Sequence, residues 1–237
     1  MRELYNYRID ETYSPTTKKE LQGFIDRRIE EEGPNCDLND IDVSKITDMS
    51  FLFYGSRFNG NISSWNVSRV KDMRFMFSKS LFNGDISRWD VRNVEDMSSM
   101  FDTSIFDGNI SKWNVSNVKN MSKMFSYSKF TGDISQWNVS NVKSMKLMFE
   151  HSSFNGDLSK WDVSKVENMD SMFANSKFNN NISKWNVSNV KNMYAMFNYS
   201  KFNRSISKWD TKKVEDMRNM FTGCPLENKK PGWYRYS

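Results

Sequence analysis

One histidine, two cysteines and four prolines in 237 residues leave the chain short of several kinds of chemistry. A lone His151 does not suggest a Ser/His/Asp triad or a Cys/His dyad. Two cysteines, Cys36 and Cys224, are too few for a disulfide framework and, with one histidine, for a zinc site. They stand near opposite ends of the chain and are expected to be reduced, structural thiols. No apolar run approaches the roughly 20 residues of a membrane span. The first residues, MRELYNYRIDETYSP, carry no apolar leader or cleavage signature, and no lipid-attachment or C-terminal anchor motif is present. The expectation is a cytoplasmic chain, at a surface only if exported by another route. Glycine-rich nucleotide and phosphate motifs are missing. Charge of one sign is missing too: 34 Lys+Arg against 29 Asp+Glu give +5, a weak preference for anionic partners.

What is abundant is a repeat. ISSWNVSRVKDMRFMFSKSLFNGD (62–85) returns after 24 residues as ISRWDVRNVEDMSSMFDTSIFDGN, and again from Ile110. Units start at 38, 62, 86, 110, 134, 158, 182 and 206. Columns are numbered here from 1 at Leu38, Ile62 and their copies. Every Met except Met1 falls in columns 12 and 15, and seven of the eight Trp fall in column 4. Such columns predict a core that no single unit closes alone.

The apolar spacing I-x-x-W-x-V-x-x-V has the period of a leucine-rich-repeat strand and predicts a short strand around columns 3 to 7. Column 11 (Asp48, Asp72, Asp96, Asn120 and copies) offers helix N-caps before apolar residues at columns 12, 15 and 16, which predicts one or two helical turns. A small residue in column 19, Ser with Cys224 last, predicts tight packing between units. Asn59-Gly60 and its copies predict a return turn. The expected fold is α/β: a leucine-rich-repeat-like solenoid of about eight 24-residue strand–short helix repeats, with a helical N-terminal cap.

That cap is SPTTKKELQGFIDRRIEEEG. Ser14-Pro15, or a Thr17/Glu20 capping box, starts it; Leu21, Ile25 and Ile29 line one face; Gly33-Pro34 stops it. A short strand or irregular lead-in is expected over 1–13. The chain then divides into lead-in and cap (1–37), repeats (38–229) and a degenerate C-terminal cap (230–237) that keeps Trp233 in the column 4 place.

WNVSNVKNMSKMF (113–125) and KFTGDISQWNVSNVK (129–143) make the unit resemble that of the BspA-like leucine-rich-repeat surface proteins, the bacterial surface protein 26-residue repeat. The likeness covers 38–221, with a strict 24-residue unit where that family has 25 or 26. The resemblance implies a leucine-rich-repeat-like solenoid working in adhesion or macromolecular recognition, with no catalytic motif.

The outward columns are left to carry function. Column 3 holds Arg88, Lys112, Lys160, Lys184 and Lys208; column 8 adds Arg69, Lys165 and Lys213; column 5 interleaves Asp90 and Asp162. These ten residues are the expected partner-binding set. Stacked Asp85, Asp133 and Asp157 in column 24 invite comparison with calcium-binding arrays, but Asn alternates with Asp there and makes the same turns without metal. No cofactor or metal is expected. The reading is a non-enzymatic scaffold that binds a protein partner, as an inhibitor or host-interaction factor. The alternatives are nucleic-acid binding along the basic stripe and a surface adhesin.

Overall fold

A computed structural model of the chain describes residues 13–235. All of the expected lead-in except Tyr13 lies outside them. Tyr13 itself forms a parallel bridge to Ile41.

The expected strand–short helix rung does not form, and the leucine-rich-repeat reading is thereby corrected. Among the described residues the helix is α1, Lys18–Glu32, and the repeats contain neither helix nor extended strand. Each unit is instead a closed series of turns. The backbone N–H of Trp65 donates to Ile62 O at 3.2 Å, and that of Val70 to Val67 O at 2.9 Å. Columns 1–4 and 6–9 are thus two successive corners, and a chain that bends twice in nine residues cannot run as a strand there. The rungs meet in parallel at column 11, through isolated bridges such as Asp48↔Asp72, Asp72↔Asp96 and Asp96↔Asn120.

Columns 11 to 19 form no helix because two residues in every unit have left-handed backbone. Column 14 (Phe51, Phe75, Ser99, Lys123 and copies) and column 18 (Lys79, Thr103, Tyr127, His151 and copies) have φ between 49° and 62°, with Gly55 and Gly223 completing column 18. A positive φ breaks the i to i−4 ladder, and a helix this short could not nucleate alone. The resulting backbone accounts for its N–H groups by alternation. Met73, Phe75, Phe77 and Lys79 donate to the next rung, to the carbonyls of Asp96, Ser98, Met100 and Asp102 at 2.8–3.0 Å. Met76, Ser78 and Ser80 between them donate back three residues within their own rung at 3.2 Å. Both sets recur along the stack, so the buried backbone is paired without regular secondary structure.

Short polar side chains hold the corners. Column 11 caps a turn, not a helix: Asp72 accepts the Arg74 N–H at 2.9 Å. Column 24 does the same at the first corner, where Asp85, Asp133 and Asp157 accept from Ser87, Ser135 and Ser159 at 2.8–2.9 Å. The column 19 serine hydroxyl accepts the N–H two residues on, as Ser80 does from Phe82 at 2.9 Å. That column is small and buried, and its oxygen satisfies a donor that alanine could not.

The predicted core columns are all inside: Ile62, Trp65, Val67, Val70, Met73, Met76, Phe77 and Phe82 have at most 4% of their surface exposed, as do their counterparts in later rungs, except Thr211 at 5% and Leu226 at 9%. Equivalent rings stack from rung to rung, Phe77 on Phe101 at 5.7 Å and Trp65 on Trp89 at 6.3 Å. Burying one such side chain is worth roughly 1.5–3 kcal/mol, and each is shared with two neighbours. Every column 4 indole N–H donates to the column 1 carbonyl of the rung before it, from Trp65 to Leu38 at 2.8 Å through Trp233 to Ile206 at 3.0 Å.

At one end α1 begins with the expected capping box, Thr17 accepting from the Glu20 N–H, and ends at Gly33 with φ 88°. Leu21 and Ile25 are fully buried in the common core, and Arg28 ties the helix to the first rung through Asp40 and the Asp37 carbonyl, each at 2.7 Å. At the other end the described residues offer no further rung to accept the N–H groups of columns 12 to 18. The Glu227 carboxylate takes the one on Gly223, at 2.9 Å. Cys36 and Cys224 are buried free thiols, and burial raises the pKa of each.

Candidate functional site

The two corners of each rung set side by side the residues expected to bind a partner. Arg88, Lys112, Lys160, Lys184 and Lys208 project from the first corner, one per rung, all exposed. Among the described residues none of the five makes an ion pair or side-chain hydrogen bond. Two of them lie near column 24 carboxylates, Arg88 near Asp85 and Lys160 near Asp133 and Asp157. Those carboxyls titrate below their ordinary value, chiefly because Ser87, Ser135 and Ser159 donate to them. They are occupied as turn caps.

Column 5 is likewise structural. The Ser164 hydroxyl and N–H, the latter at 3.0 Å, donate to Asp162 and lower its pKa. Asp90 accepts both the N–H and the guanidinium of Arg92, the latter at 2.8 Å. Neither Asp is available as an isolated charge.

The second corner differs. Where column 8 is Asn, its amide donates to the rung before, as Asn141 does to Ser116 O at 2.8 Å. Where it is Lys, the ammonium bonds that Asn: Lys165 to Asn141 and Lys213 to Asn189, both at 2.7 Å. Arg69 is exposed at the same corner, far along the stack. Lys165 and Lys213 meet Lys143 and Lys191 of column 10 around a shallow groove of about 420 Å³ that also includes Glu167 and Asn189. Glu167 holds Lys191 at 2.7 Å, and that ammonium lowers the carboxyl's pKa. Lys143 and Lys191 were outside the expected set. Their signal was the lysine-rich column 10, which alternates with Glu and so reads as a balanced row.

Columns 13, 14 and 17 face solvent only where the side chain is large. Ser78, Ser98 and Ser99 are buried, while Phe51 and Tyr54 are 47% and 44% exposed. His151 is exposed and stacks on Tyr127 at 4.3 Å. Among the described residues no three His, Cys, Asp or Glu side chains gather as metal ligands would, and no helix is long and apolar enough to cross a membrane.

No curated protein and no solved structure matched the chain. A family model described as "Mycoplasma protein of unknown function, DUF285" matches residues 27–134, 96–177 and 121–233. The overlapping windows are what a chain of near-identical units produces. They run from within α1 to Trp233, and the chain therefore belongs to this Mycoplasma family of unknown function.

Proposed function

We propose that the chain is a non-enzymatic binding scaffold for a protein partner. The observation that carries this reading is the division of labour within the rung: a nearly constant inside, and carboxylates spent on capping turns, leave the first-corner cations as groups without a structural task. Asp85, Asp133, Asp157 and Asp162 are hydrogen-bonded, ionised caps, poorly suited to acid–base work. The first-corner row, Arg88, Lys112, Lys160, Lys184 and Lys208, would draw an acidic partner in, acting on association rate more than on lifetime. The BspA-like phrases agree with work in recognition, as inhibitor, host-interaction factor or adhesin.

The lysine groove of Lys143, Lys165, Lys191 and Lys213 favours a second reading, nucleic-acid binding. Against it, the corners carry no exposed aromatic on which bases could stack.

A pull-down from the source cell, with and without nuclease, separates the two. A protein retained after nuclease treatment supports the scaffold, and loss of all bound material on nuclease treatment supports the groove. Changing Lys112, Lys160 and Lys184 together to Glu should then slow association of the captured protein about tenfold. An unchanged rate removes the corner row from the site.

A further inference from the structure

Exposed large hydrophobic side chains are not scattered over this surface. Within the repeats they are Phe51, Tyr54, Leu81, Ile105, Tyr127 and Tyr199, each 44–61% exposed. All lie in columns 14, 17, 18 and 20, on the edge formed by the left-handed turns. None lies in columns 3, 5, 7, 8 or 10, on the corners that carry the cation rows.

The middle of this edge is continuous. Leu81 and Ile105 are the same column in adjacent rungs, 49% and 45% exposed, and Tyr127 follows in the next rung at 52%, stacked on the exposed His151 of the rung after. Lys79, Lys123 and Lys129 are exposed on the same edge, and none makes an ion pair within 4 Å among the described residues; Asp102 lies near Lys79 and Lys123, and Lys79 sits over the Tyr54 ring at 5.5 Å. Apolar anchors within a charged rim are the anatomy of a protein-binding patch. Rungs in a parallel ladder are about 4.8 Å apart, so a chain lying across them meets one anchor per rung.

The backbone points the same way. Column 18 has φ 50–56° in residues as ill-suited to it as Thr103 and Tyr127, whereas the outermost rungs place Gly55 and Gly223 there. A left-handed non-glycine residue costs on the order of 1 kcal/mol. The interior rungs bear that cost and present side chains where glycine would fit the backbone without strain.

We propose that the edge centred on Leu81, Ile105 and Tyr127, with Lys79, Lys123 and Lys129 as its rim, is the docking surface for an acidic polypeptide segment bearing aliphatic or aromatic side chains. The apolar anchors select the partner's apolar side chains, and the lysine rim its carboxylates. This rests on the binding-scaffold reading and places the selective contacts on the turn edge, leaving the corner rows to attract at a distance.

The test is a random peptide library displayed on phage and panned against the full chain, with selected peptides remade and their association and dissociation rates measured. Selected peptides should combine Asp or Glu with aliphatic or aromatic residues. They should dissociate at least about tenfold faster from the Leu81→Ser/Ile105→Ser variant, whereas Lys112→Glu/Lys160→Glu/Lys184→Glu should slow association and change the dissociation rate no more than about threefold. Both variants change exposed side chains, and an unaltered thermal melt checks that each is folded. Selection without acidic bias, equal affinity for the edge variant, or no selected peptide overturns the proposal. Loss confined to the corner variant overturns it too while leaving the scaffold reading intact, and that reading fails separately if the pull-down retains no protein.

Discussion

The indole N–H of Trp137 donates to the carbonyl of Ile110 at 3.1 Å, inside a core where Trp137 keeps 4% of its surface and Ile110 1%. The same bond joins each rung to its predecessor and fixes both ring orientation and register. Valine or leucine in column 4 could fill space but could not supply that donor.

Trp137→Phe should therefore destabilise the array by about 2 kcal/mol: the Ile110 carbonyl keeps the Trp113 N–H at 3.1 Å, so the cost is the net ~0.5–1.5 kcal/mol of one hydrogen bond plus the volume lost from a packed core. Urea unfolding should show a lower midpoint with little change in slope. Trp233→Phe, at the partly exposed last copy, should cost less than half as much. Equal losses at the two sites would show that the shared N–H bond, and not the burial of the ring, sets the cost.

Thr103 is a β-branched residue at φ 56°. Thr103→Gly should stabilise the chain by up to ~1 kcal/mol, because relief of left-handed strain exceeds the added freedom of the unfolded chain. Lys129→Gly, two columns beyond the left-handed position, has no such strain to relieve and should destabilise by ~0.5–1 kcal/mol. Thermal melts of the pair should move in opposite directions.

Gly60 and Gly132 share column 23 but differ in what a Cβ would meet. At Gly60 it would lie 1.9 Å from the Cys36 carbonyl oxygen, a backbone atom; at Gly132 its nearest neighbours are Phe130 ring atoms at 2.8 Å. Gly60→Ala should cost about 3 kcal/mol, at the upper end of overpacking. Gly132→Ala should cost ~1 kcal/mol, because a ring can shift; Asn180 and Arg204 stand in this column two and three rungs later. Chemical denaturation of both variants checks the order.

The carboxyls of Asp85, Asp133 and Asp157 titrate below their ordinary value in the folded chain because turn N–H groups and serine hydroxyls donate to them. A depressed folded pKa gives stability that is fully present above the unfolded value, near 3.9, and lost as pH falls through the folded one. Stability should thus be flat near neutrality and decline below about pH 4. Replacing all three with Asn, which already occupies this column at Asn61, Asn109 and Asn181, should leave neutral-pH stability nearly unchanged and make the acid decline shallower. An unaltered acid limb would show that these caps do not contribute to it.

The inside of the molecule was legible from the residues. Identical apolar residues at a fixed period must stack, so the burial of Met73, Phe77, Phe82 and the Trp row followed from the columns alone. The capping box at Thr17 and Glu20 followed from local chemistry. The internal form of the rung was not legible. Met73, Met76 and Phe77 have the spacing of a helix face, and Asp72 is a good helix N-cap. The same residues serve equally well in a turn capped by Asp72, because a carboxylate accepts the N–H two residues on in either. What excludes the helix is the positive φ of Phe75 and Lys79, which neither residue type announces. Glycine misled in the opposite sense. Gly84 suggests a left-handed turn, yet its φ is not positive, and it is glycine because a Cβ there would meet the Phe82 ring at 2.8 Å.

The candidate site divides in the same way. That Arg88, Lys112, Lys160, Lys184 and Lys208 form one row follows from the period, as does their exposure. That Lys165 and Lys213 share a groove with Lys143 and Lys191, and that Leu81, Ile105 and Tyr127 join on one edge, depends on how the rung bends between columns 8 and 20. The sequence by itself determined the 24-residue period, the columns that are buried and the stacking of each residue on its copies, because side chains that need burial and recur in register can satisfy one another only by stacking. The tertiary structure decided the backbone within each rung and, through it, which outward residues share a face. A turn's handedness is set by where its N–H groups find acceptors, and half of the acceptors for columns 12 to 18 lie in the next rung.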